Sequence, residues 1–159
     1  MEKTSLKSCP FCRIYCKNEN PFFKDDKFFI FLDRKQASKF HYLASPIVHI
    51  PNVFSLRSLH KNLIQHIVQV SLKFINTQHP NTKFKIGFHA PPFTTVDHLH
   101  MHVLILPFKN EFYETNLFGF LLHSPYKIIN SLENFNCYQT KEVVYKEKQM
   151  EYEPTTQAK

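Results

Sequence analysis

Short hydrophobic runs separated by polar residues characterise the first part of the chain, and they predict a β-hairpin. KFFIFLD (27–33) and HYLASPIVHI (41–50) are rich in the aromatic and β-branched residues that strands favour. The polar stretch RKQASKF connects them. Because Pro46 has no amide hydrogen for a ladder, it indicates an edge, a bulge or a strand end within the second run.

Two later runs predict two more strands. KFKIGFHA (83–90) is followed by Pro91 and Pro92, which interrupt it. Residues 98–106 form the fourth run, and we expect Pro107 to end that strand.

Between these pairs of strands, hydrophobic residues recur every three or four positions, which is typical of an amphipathic helix. We predict this helix over 55–75, with Ser55 as its N-cap. His60 and His66 lie off the hydrophobic stripe and are interpreted as solvated residues. The stripe comprises Leu56, Leu59, Leu63, Ile67, Val70 and Phe74.

The last part of the chain is aromatic and less regular, and a shorter helix is predicted around 124–135. Beyond about 141 the residues are polar and balanced in charge. A length of 159 residues fits one domain with a hydrophobic core. We therefore expect one domain over 1–140 and a disordered tail over 141–159.

Composition and charge narrow the choice of ligands. With only 2 glycines, the chain has no glycine-rich phosphate loop. The formal net charge is +7, and the segment from Asp33 to Lys85 holds eight basic residues and one acidic residue. This segment is either a solvated basic surface or one that attracts polyanions or phosphorylated ligands. No run reaches the roughly 18 apolar residues of a membrane span, so no membrane partner is expected.

Cys9 and Cys12 form a C-x-x-C pair, whereas Cys16 and Cys137 have no evident partner. The first residues contain no apolar signal core, which predicts a reducing compartment: the cytoplasm, with the nucleus as a further location. There, C-x-x-C indicates metal or redox chemistry more than a structural disulfide. A zinc site, a pair of unoccupied thiols and a redox pair are the alternatives.

Three histidines occupy alternate positions in DHLHMHVLILP. In a strand, His98, His100 and His102 therefore share one face, and hydrophobic residues share the other. Positions two apart are separated by roughly 6.6 Å, and the outer two by about 13 Å. Two of these side chains could bind one metal ion, but three on a straight strand hardly could.

A row of imidazoles suits an anionic centre such as a phosphate. Neutral imidazole is a nucleophile and a base near neutral pH, and imidazolium donates two hydrogen bonds. One histidine can attack phosphorus while its neighbours hold the oxygens. The alternative is three histidines on a polar sheet face.

These residues resemble the histidine triad (HIT) superfamily. HLHMHVL matches its motif His-φ-His-φ-His-φ-φ, in which φ is hydrophobic, and CPFC resembles the C-x-F-C opening of many members. GFHAPPFTTVDHLHMHVL resembles the branch called histidine triad nucleotide-binding protein 3. The superfamily's H-x-L-x-x-P-x-x-H-I stretch is matched by His41, Leu43, Pro46, His49 and Ile50.

The resemblance implies an α+β fold: an antiparallel sheet of about five strands, with a long helix and a shorter C-terminal helix packed on it, usually as a homodimer. The predicted hairpin, helix and later strands agree with it. It also implies a nucleotide-binding hydrolase, an adenosine 5′-monophosphoramidase that splits the P–N bond of AMP joined to an amine. Acyl-AMP is a further substrate to consider.

Carried over to this sequence, the resemblance implies that His100 is the nucleophile and forms a covalent AMP–histidine intermediate, which water hydrolyses. His102 would hydrogen-bond the phosphate. Thr95 stands where relatives carry a serine that contacts the phosphate or the leaving group. Asp33 would accept hydrogen bonds from the ribose, and Leu32 would line the base pocket.

The resemblance implies structural zinc and no catalytic metal. In members with the cysteine pair, zinc is completed by the histidine of the H-I stretch and by the first triad histidine. The implied ligands are therefore Cys9, Cys12, His49 and His98.

The loop before the triad departs from the glycine-rich stretch of many relatives. Here it reads HAPPFT (89–94), and Pro91 and Pro92 offer no amide proton to a phosphate. His89 either replaces some of those contacts or is a surface histidine.

Two other functions stay open. An aprataxin-like enzyme would remove AMP from nucleic-acid 5′ ends, and the basic segment favours it mildly. Such proteins carry a C-terminal Cys/His zinc finger, whereas this chain has only Cys137 and His123 after the triad. The other alternative, a nucleotide-binding scaffold or sensor, would not need the intact triad.

Overall fold

An antiparallel sheet of five strands forms the centre of the fold, in the order β1-β2-β3-β5-β4. The computed structural model describes residues 8–17 and 21–134. The predicted tail, 141–159, and Cys137 lie outside them. The strands are β1 (Phe23–Lys24), β2 (Phe28–Leu32), β3 (Ser38–Pro46), β4 (Phe84–Phe88) and β5 (Met101–Phe108).

Helices surround this sheet, and with it they confirm the predicted α+β class. They are α1 (Pro10–Lys17), the long α2 (Lys61–Gln78) and the shorter α3 (Pro125–Asn134). A π-helical segment, Tyr113–Phe120, precedes α3. Within the part of the chain that the structure describes, no helix is both long and apolar enough to cross a membrane.

The long helix begins six residues later than predicted, at Lys61 and not at Ser55. Two short 3-10 turns, Val53–Ser55 and Ser58–His60, precede it, and Asn52 caps the first by accepting a hydrogen bond from the Phe54 amide. Leu56 and Leu59, the first two residues of the predicted stripe, therefore lie before the helix. Leu59 is 77% exposed. The residues that α2 buries are Ile64, Ile67, Val68, Ser71, Phe74 and Ile75.

The two histidines near this helix are not simply solvated. His66 is half-buried and its Nε2 lies 2.7 Å from the Asp25 carboxylate, while its ring meets Phe28 edge to face. His60 accepts a hydrogen bond from the Arg57 amide at its Nδ1. Both side chains therefore have a structural role that helical periodicity alone did not indicate.

The strand of the histidine motif is shorter at its start than predicted and longer at its end. β5 begins at Met101 and passes through Pro107 to Phe108. Before it, the Leu99 amide donates to the carbonyl of Ile50 and not to a neighbouring strand. His98 and His100 therefore lie before β5, outside the ladder.

The two faces of the sheet have different partners. Met101, Val103 and Ile105 belong to the main core, together with residues of α2. His102 and Leu104 alternate with them and lie on the opposite face. The predicted alternation is thus present in β5. Its hydrophobic face belongs to the main core, and its other face carries His102 of the candidate site.

A chain segment that follows the π-helical turn covers β4. Phe88 exchanges two backbone hydrogen bonds with His123. A Cβ at Gly87 would lie 2.5 Å from Cγ of Leu122 and 2.7 Å from the His123 carbonyl oxygen. This close approach requires glycine at position 87.

Candidate functional site

Five buried histidines gather on the face of the sheet opposite α2. Three belong to the triad, one lies on β3, and one follows β4. None is more than 9% exposed. They are His41, His89, His98, His100 and His102.

Backbone carbonyls fix the tautomers of the first two triad histidines. The carbonyl of Pro46 lies 2.9 Å from Nε2 of His98, and the carbonyl of His98 lies 2.6 Å from Nδ1 of His100. Because a carbonyl only accepts, each of these ring nitrogens carries the hydrogen. The lone pair is therefore on Nδ1 of His98 and on Nε2 of His100.

Burial keeps the triad neutral. It lowers the pKa of His100 below the usual value of 6.5, and it lowers the pKa of His102 well below that value. Burial also lowers the pKa of His98 to about 4. A neutral imidazole with an unprotonated Nε2 is a nucleophile at neutral pH, and His100 meets both conditions.

His41 joins the site although the sequence analysis gave it no role. The Lys35 carbonyl lies 3.1 Å from its Nδ1, and a carboxylate oxygen of Asp33 lies 3.5 Å from the same nitrogen. His41 therefore donates from Nδ1, so its Nε2 accepts from Nδ1 of His102 at 2.9 Å. Burial lowers the pKa of His41, although Asp33 opposes this.

This chain of hydrogen bonds leaves Nε2 of His102 as an acceptor. That atom is buried and has no hydrogen-bond partner within residues 8–17 and 21–134. An unpaired buried polar atom costs about 1–3 kcal/mol. A ligand that supplies a proton or a donor would remove this cost. The sequence did contain a signal for His41, namely its place in the H-x-L stretch. His41 lies on the same face of β3 as Leu43, which pairs in register with His102.

Aromatic rings exclude water from these imidazoles. Phe11 of α1 meets the ring of His100 edge to face, with centroids 5.1 Å apart. Phe118 of the π-helical segment lies 5.3 Å from His41 and 5.2 Å from His102. This packing is the physical cause of the lowered pKa values.

His89 is a buried member of the site and not a surface histidine. It donates from Nε2 to the Leu117 carbonyl at 2.8 Å and stacks on Phe118. Its ring centroid is 4.5 Å from that of His102. Burial lowers its pKa. The surface alternative for His89 is therefore wrong, and its contact with phosphate stays a prediction.

The four predicted zinc ligands converge on one point. Nδ1 of His98 lies 3.3 Å from Sγ of Cys9, 3.5 Å from Sγ of Cys12 and 3.2 Å from Nδ1 of His49. Tetrahedral zinc has N···N edges of about 3.3 Å and N···S edges of about 3.6 Å, from bond lengths of about 2.05 and 2.3 Å. The observed separations match this geometry.

The protonation chemistry of this cluster also fits a cation. The Pro46 carbonyl holds the proton of His98 on Nε2, so Nδ1 is free to bind a metal. Burial and the neighbouring Cys9 raise the pKa of the Cys12 thiol to about 12. The Cys12 thiol therefore keeps its proton unless a cation replaces it, and a bound zinc ion would do so.

The remaining predicted residues lie at different distances from the histidines. Asp33 contacts His41 and accepts from the Lys35 amide at 2.9 Å. Thr95 is exposed and lines a depression beside Cys9 and His49, on the side of the cysteine cluster. Its phosphate contact stays a prediction.

Leu32 is not brought together with the histidines. It is 42% exposed and pairs in register with Tyr42, whose ring belongs to the core beneath α2. Successive side chains alternate faces, so Leu32 lies on the opposite side of the sheet from His102. Its contact with a nucleotide base stays a prediction.

Comparisons with known proteins agree with this geometry. The family model "Scavenger mRNA decapping enzyme C-term binding" matches residues 8–118. The bifunctional adenosine 5′-phosphosulfate phosphorylase/adenylylsulfatase HINT4 of Arabidopsis thaliana is 37% identical over 108 residues, which are 64% of this chain and 72% of the relative. The adenosine 5′-monophosphoramidase HINT3 of Mus musculus is 32% identical over 133 residues, 76% of this chain and 72% of the relative.

A solved structure shows the same fold. The zinc-bound histidine triad family protein of Mycobacterium smegmatis superposes with a TM-score of 0.56 at 17% identity, covering 82% of this chain and 97% of that one. The family model and the two relatives agree with the arrangement of the triad histidines. This chain belongs to the histidine triad superfamily.

Proposed function

We propose that this protein hydrolyses the P–N bond of adenosine 5′-monophosphoramidates, with acyl-AMP as a second substrate. The observation that carries the proposal is the state of His100: neutral, buried, and held by its Nδ1–H on the His98 carbonyl so that Nε2 is free. A relative named as an adenosine 5′-monophosphoramidase supports the choice of substrate.

In the first step, Nε2 of His100 attacks the α-phosphorus. A bond forms between Nε2 and phosphorus while the bond between phosphorus and the amine nitrogen breaks. The departing nitrogen needs a proton. The negative charge of the nucleotide raises the pKa of His102 when it binds, so His102 takes up a proton on Nε2 and donates it to the amine.

In the second step, water attacks phosphorus and the bond to His100 breaks. His102 is neutral at this point, and its Nε2 accepts the proton of the water. In the neutral ring His41 accepts the hydrogen of Nδ1, so Nε2 is the nitrogen with the free lone pair. The products are AMP and a neutral His100, and His102 returns its proton to solvent.

The other contacts to the nucleotide are proposals by resemblance. Asp33 would bind the ribose hydroxyls, Thr95 and His89 the phosphate or leaving group, and Leu32 the base. A homodimer and a location in the cytoplasm or nucleus also stay predictions.

We further propose that Cys9, Cys12, His49 and His98 hold a structural zinc ion. The tetrahedral separations support it, as does the zinc-bound relative of the same fold. The ion would cross-link α1 to the sheet. Because all four positions are filled by protein, the site has no place for a substrate.

The test is release of the amine from a fluorogenic adenosine phosphoramidate, comparing wild type, His100→Ala and His60→Ala. The last variant removes a histidine remote from the site. We expect turnover in the wild type and in His60→Ala, and a loss of about 10³-fold or more in His100→Ala. A wild type that binds AMP without turnover would overturn the proposal.

A nucleic acid carrying a 5′ AMP is the second candidate substrate. Lys35, Lys39 and Lys109 are exposed. Lys35 lies in the β2–β3 turn, Lys39 follows on β3, and the Lys109 amide donates to the Ala37 carbonyl in that turn. Such a patch attracts a phosphate backbone, and its binding weakens steeply with salt. Faster turnover of adenylated DNA than of the phosphoramidate, lost in Lys39→Ala and at high salt, would favour this substrate.

A further inference from the structure

We propose that the Cys/His cluster positions the nucleophile, so that metal loading of the cluster sets the rate of the reaction. The cluster is defined by Cys9, Cys12, His49 and His98. The effect on turnover rests on the proposed function, whereas the effect on the His100 ring can be measured without any substrate.

The first connection runs through a single residue, His98. Its Nδ1 lies 3.3 Å from Sγ of Cys9 and 3.5 Å from Sγ of Cys12. Its own carbonyl accepts the Nδ1–H of His100 at 2.6 Å. Movement of the His98 backbone would therefore displace the acceptor that fixes both the tautomer and the direction of the nucleophile's ring.

The second connection runs through Phe11, which lies between the two cysteines in sequence. Phe11 is 7% exposed, and its ring stands 5.1 Å from the ring of His100 at 86°. On its other side it meets Phe31, also at 5.1 Å. A ligand that holds Cys9 and Cys12 in place therefore also holds the Phe11 ring, against which His100 packs.

Helix α1 is short, and apart from Phe11 it packs on the sheet through the partly buried Ile14 and Tyr15. It contains eight residues, and Phe11 is the buried one among them. A helix of this length is not stable on its own in water, so its position depends on tertiary contacts. A metal ion on Cys9 and Cys12 would supply a fixed point at the start of the helix, next to that single buried ring.

The expected consequence is a change in kcat with little change in KM. Misplacing a reacting group by about 1 Å costs roughly 10²-fold in rate. The proposed ribose contact, Asp33, lies in the turn after β2 and contacts His41, which is not a member of the cluster. Without the metal, we therefore expect the nucleotide to bind nearly as before while His100 attacks about 10- to 100-fold more slowly.

The first experiment compares Cys12→Ser with Cys16→Ser. Cys16 is exposed on the same helix, so its replacement controls for the chemical change alone. Three quantities are measured: bound zinc per chain, kcat and KM for the fluorogenic phosphoramidate, and the ring nitrogen signals of His100 by ¹H–¹⁵N NMR. The wild type is measured loaded with zinc and again after chelation.

We expect the chelated wild type and Cys12→Ser to lose zinc, to lose kcat about 10- to 100-fold, and to show a shifted or broadened Nδ1–H signal of His100. Adding zinc back should restore the wild type, and Cys16→Ser should behave as the loaded protein throughout. Identical His100 signals with and without zinc would overturn the proposal.

A second variant covers the case in which removal of the metal unfolds the protein. Phe11→Leu keeps all four ligands, and circular dichroism with zinc analysis would verify the fold and the metal. We expect it to retain one zinc and KM, yet to shift the His100 signals and lower kcat. Unchanged His100 signals in Phe11→Leu would refute the second connection.

The NMR readout separates this proposal from the proposed function. If zinc shifts the His100 ring signals but no phosphoramidate is hydrolysed, the positioning role stands and the assigned reaction fails. If turnover is present and depends on His100 but not on zinc, the reaction stands and the positioning role fails.

Discussion

Replacing His41 by alanine tests whether His102 depends on a partner for its function. The His41 side chain is buried and is the partner of Nδ1 of His102 at 2.9 Å. Its removal leaves that donor without its protein partner beside the Phe118 ring. The His102 ring can then rotate or change tautomer, so Nε2 is no longer held as the unprotonated nitrogen.

Two contributions to stability follow from these contacts. An unpaired buried donor costs about 1–3 kcal/mol, and removal of a buried ring packed against Phe118 leaves a cavity. We expect His41→Ala to lower the free energy of unfolding by about 2–4 kcal/mol. Loss of a group that orients a functional histidine costs about 10- to 100-fold in activity, and we expect this loss in kcat.

The assay combines urea unfolding with kcat and KM on the fluorogenic phosphoramidate. His79→Ala is the matched control, because His79 also shares a hydrogen bond of 2.8 Å with a buried partner, the hydroxyl of Tyr42, but on the other face of the sheet. It should destabilise the fold and leave kcat unchanged. Equal kcat values for His41→Ala and wild type, in folded protein, would refute the role of His41.

Three further predictions concern pH and packing. Burial lowers the pKa of His100, and a protonated His100 cannot attack phosphorus. The value of kcat/KM should therefore stay high just below pH 6.5 and fall only at lower pH. A midpoint of the acid-side fall in kcat/KM at or above pH 6.5 would contradict this. Ile67→Ala should cost about 2–5 kcal/mol in urea unfolding, whereas Leu59→Ala should cost little, since Ile67 is 0% and Leu59 77% exposed. Equal losses would contradict the observed helix register. Gly87→Val should destabilise by about 1–3 kcal/mol through its clash with Leu122, and a stable variant would show that this segment moves aside.

The sequence determined the elements whose signal is local. Short runs rich in aromatic and β-branched residues located β2, β3 and β4. The alternation of histidines and hydrophobic residues located β5, because successive side chains of a strand point to opposite faces. The helical spacing located α2, but not its start, since the 3-10 turns before it continue the same hydrophobic spacing. The buried residues of α2 therefore differ from the predicted stripe, and Leu59, which was expected to be buried, is exposed.

The sequence also singled out the candidate site residues, through two patterns: the alternating triad and the cysteine pair. That these meet at His98 was available only from the resemblance to a family. The distances of 3.2–3.5 Å between ligand atoms needed residues from α1, from the loop after β3 and from the segment before β5. No local pattern contains such a separation.

Tertiary structure alone decided the electrostatic state of the site. The lowered pKa values of His100 and His102 come from burial under Phe11 and Phe118, which are 89 and 16 positions from the respective histidines in the chain. The role of His41 likewise depends on the registration of β3 with β5. Residue type is written in the sequence, but desolvation and hydrogen-bond partners depend on which distant residues fold together, and those set the protons on which the chemistry depends.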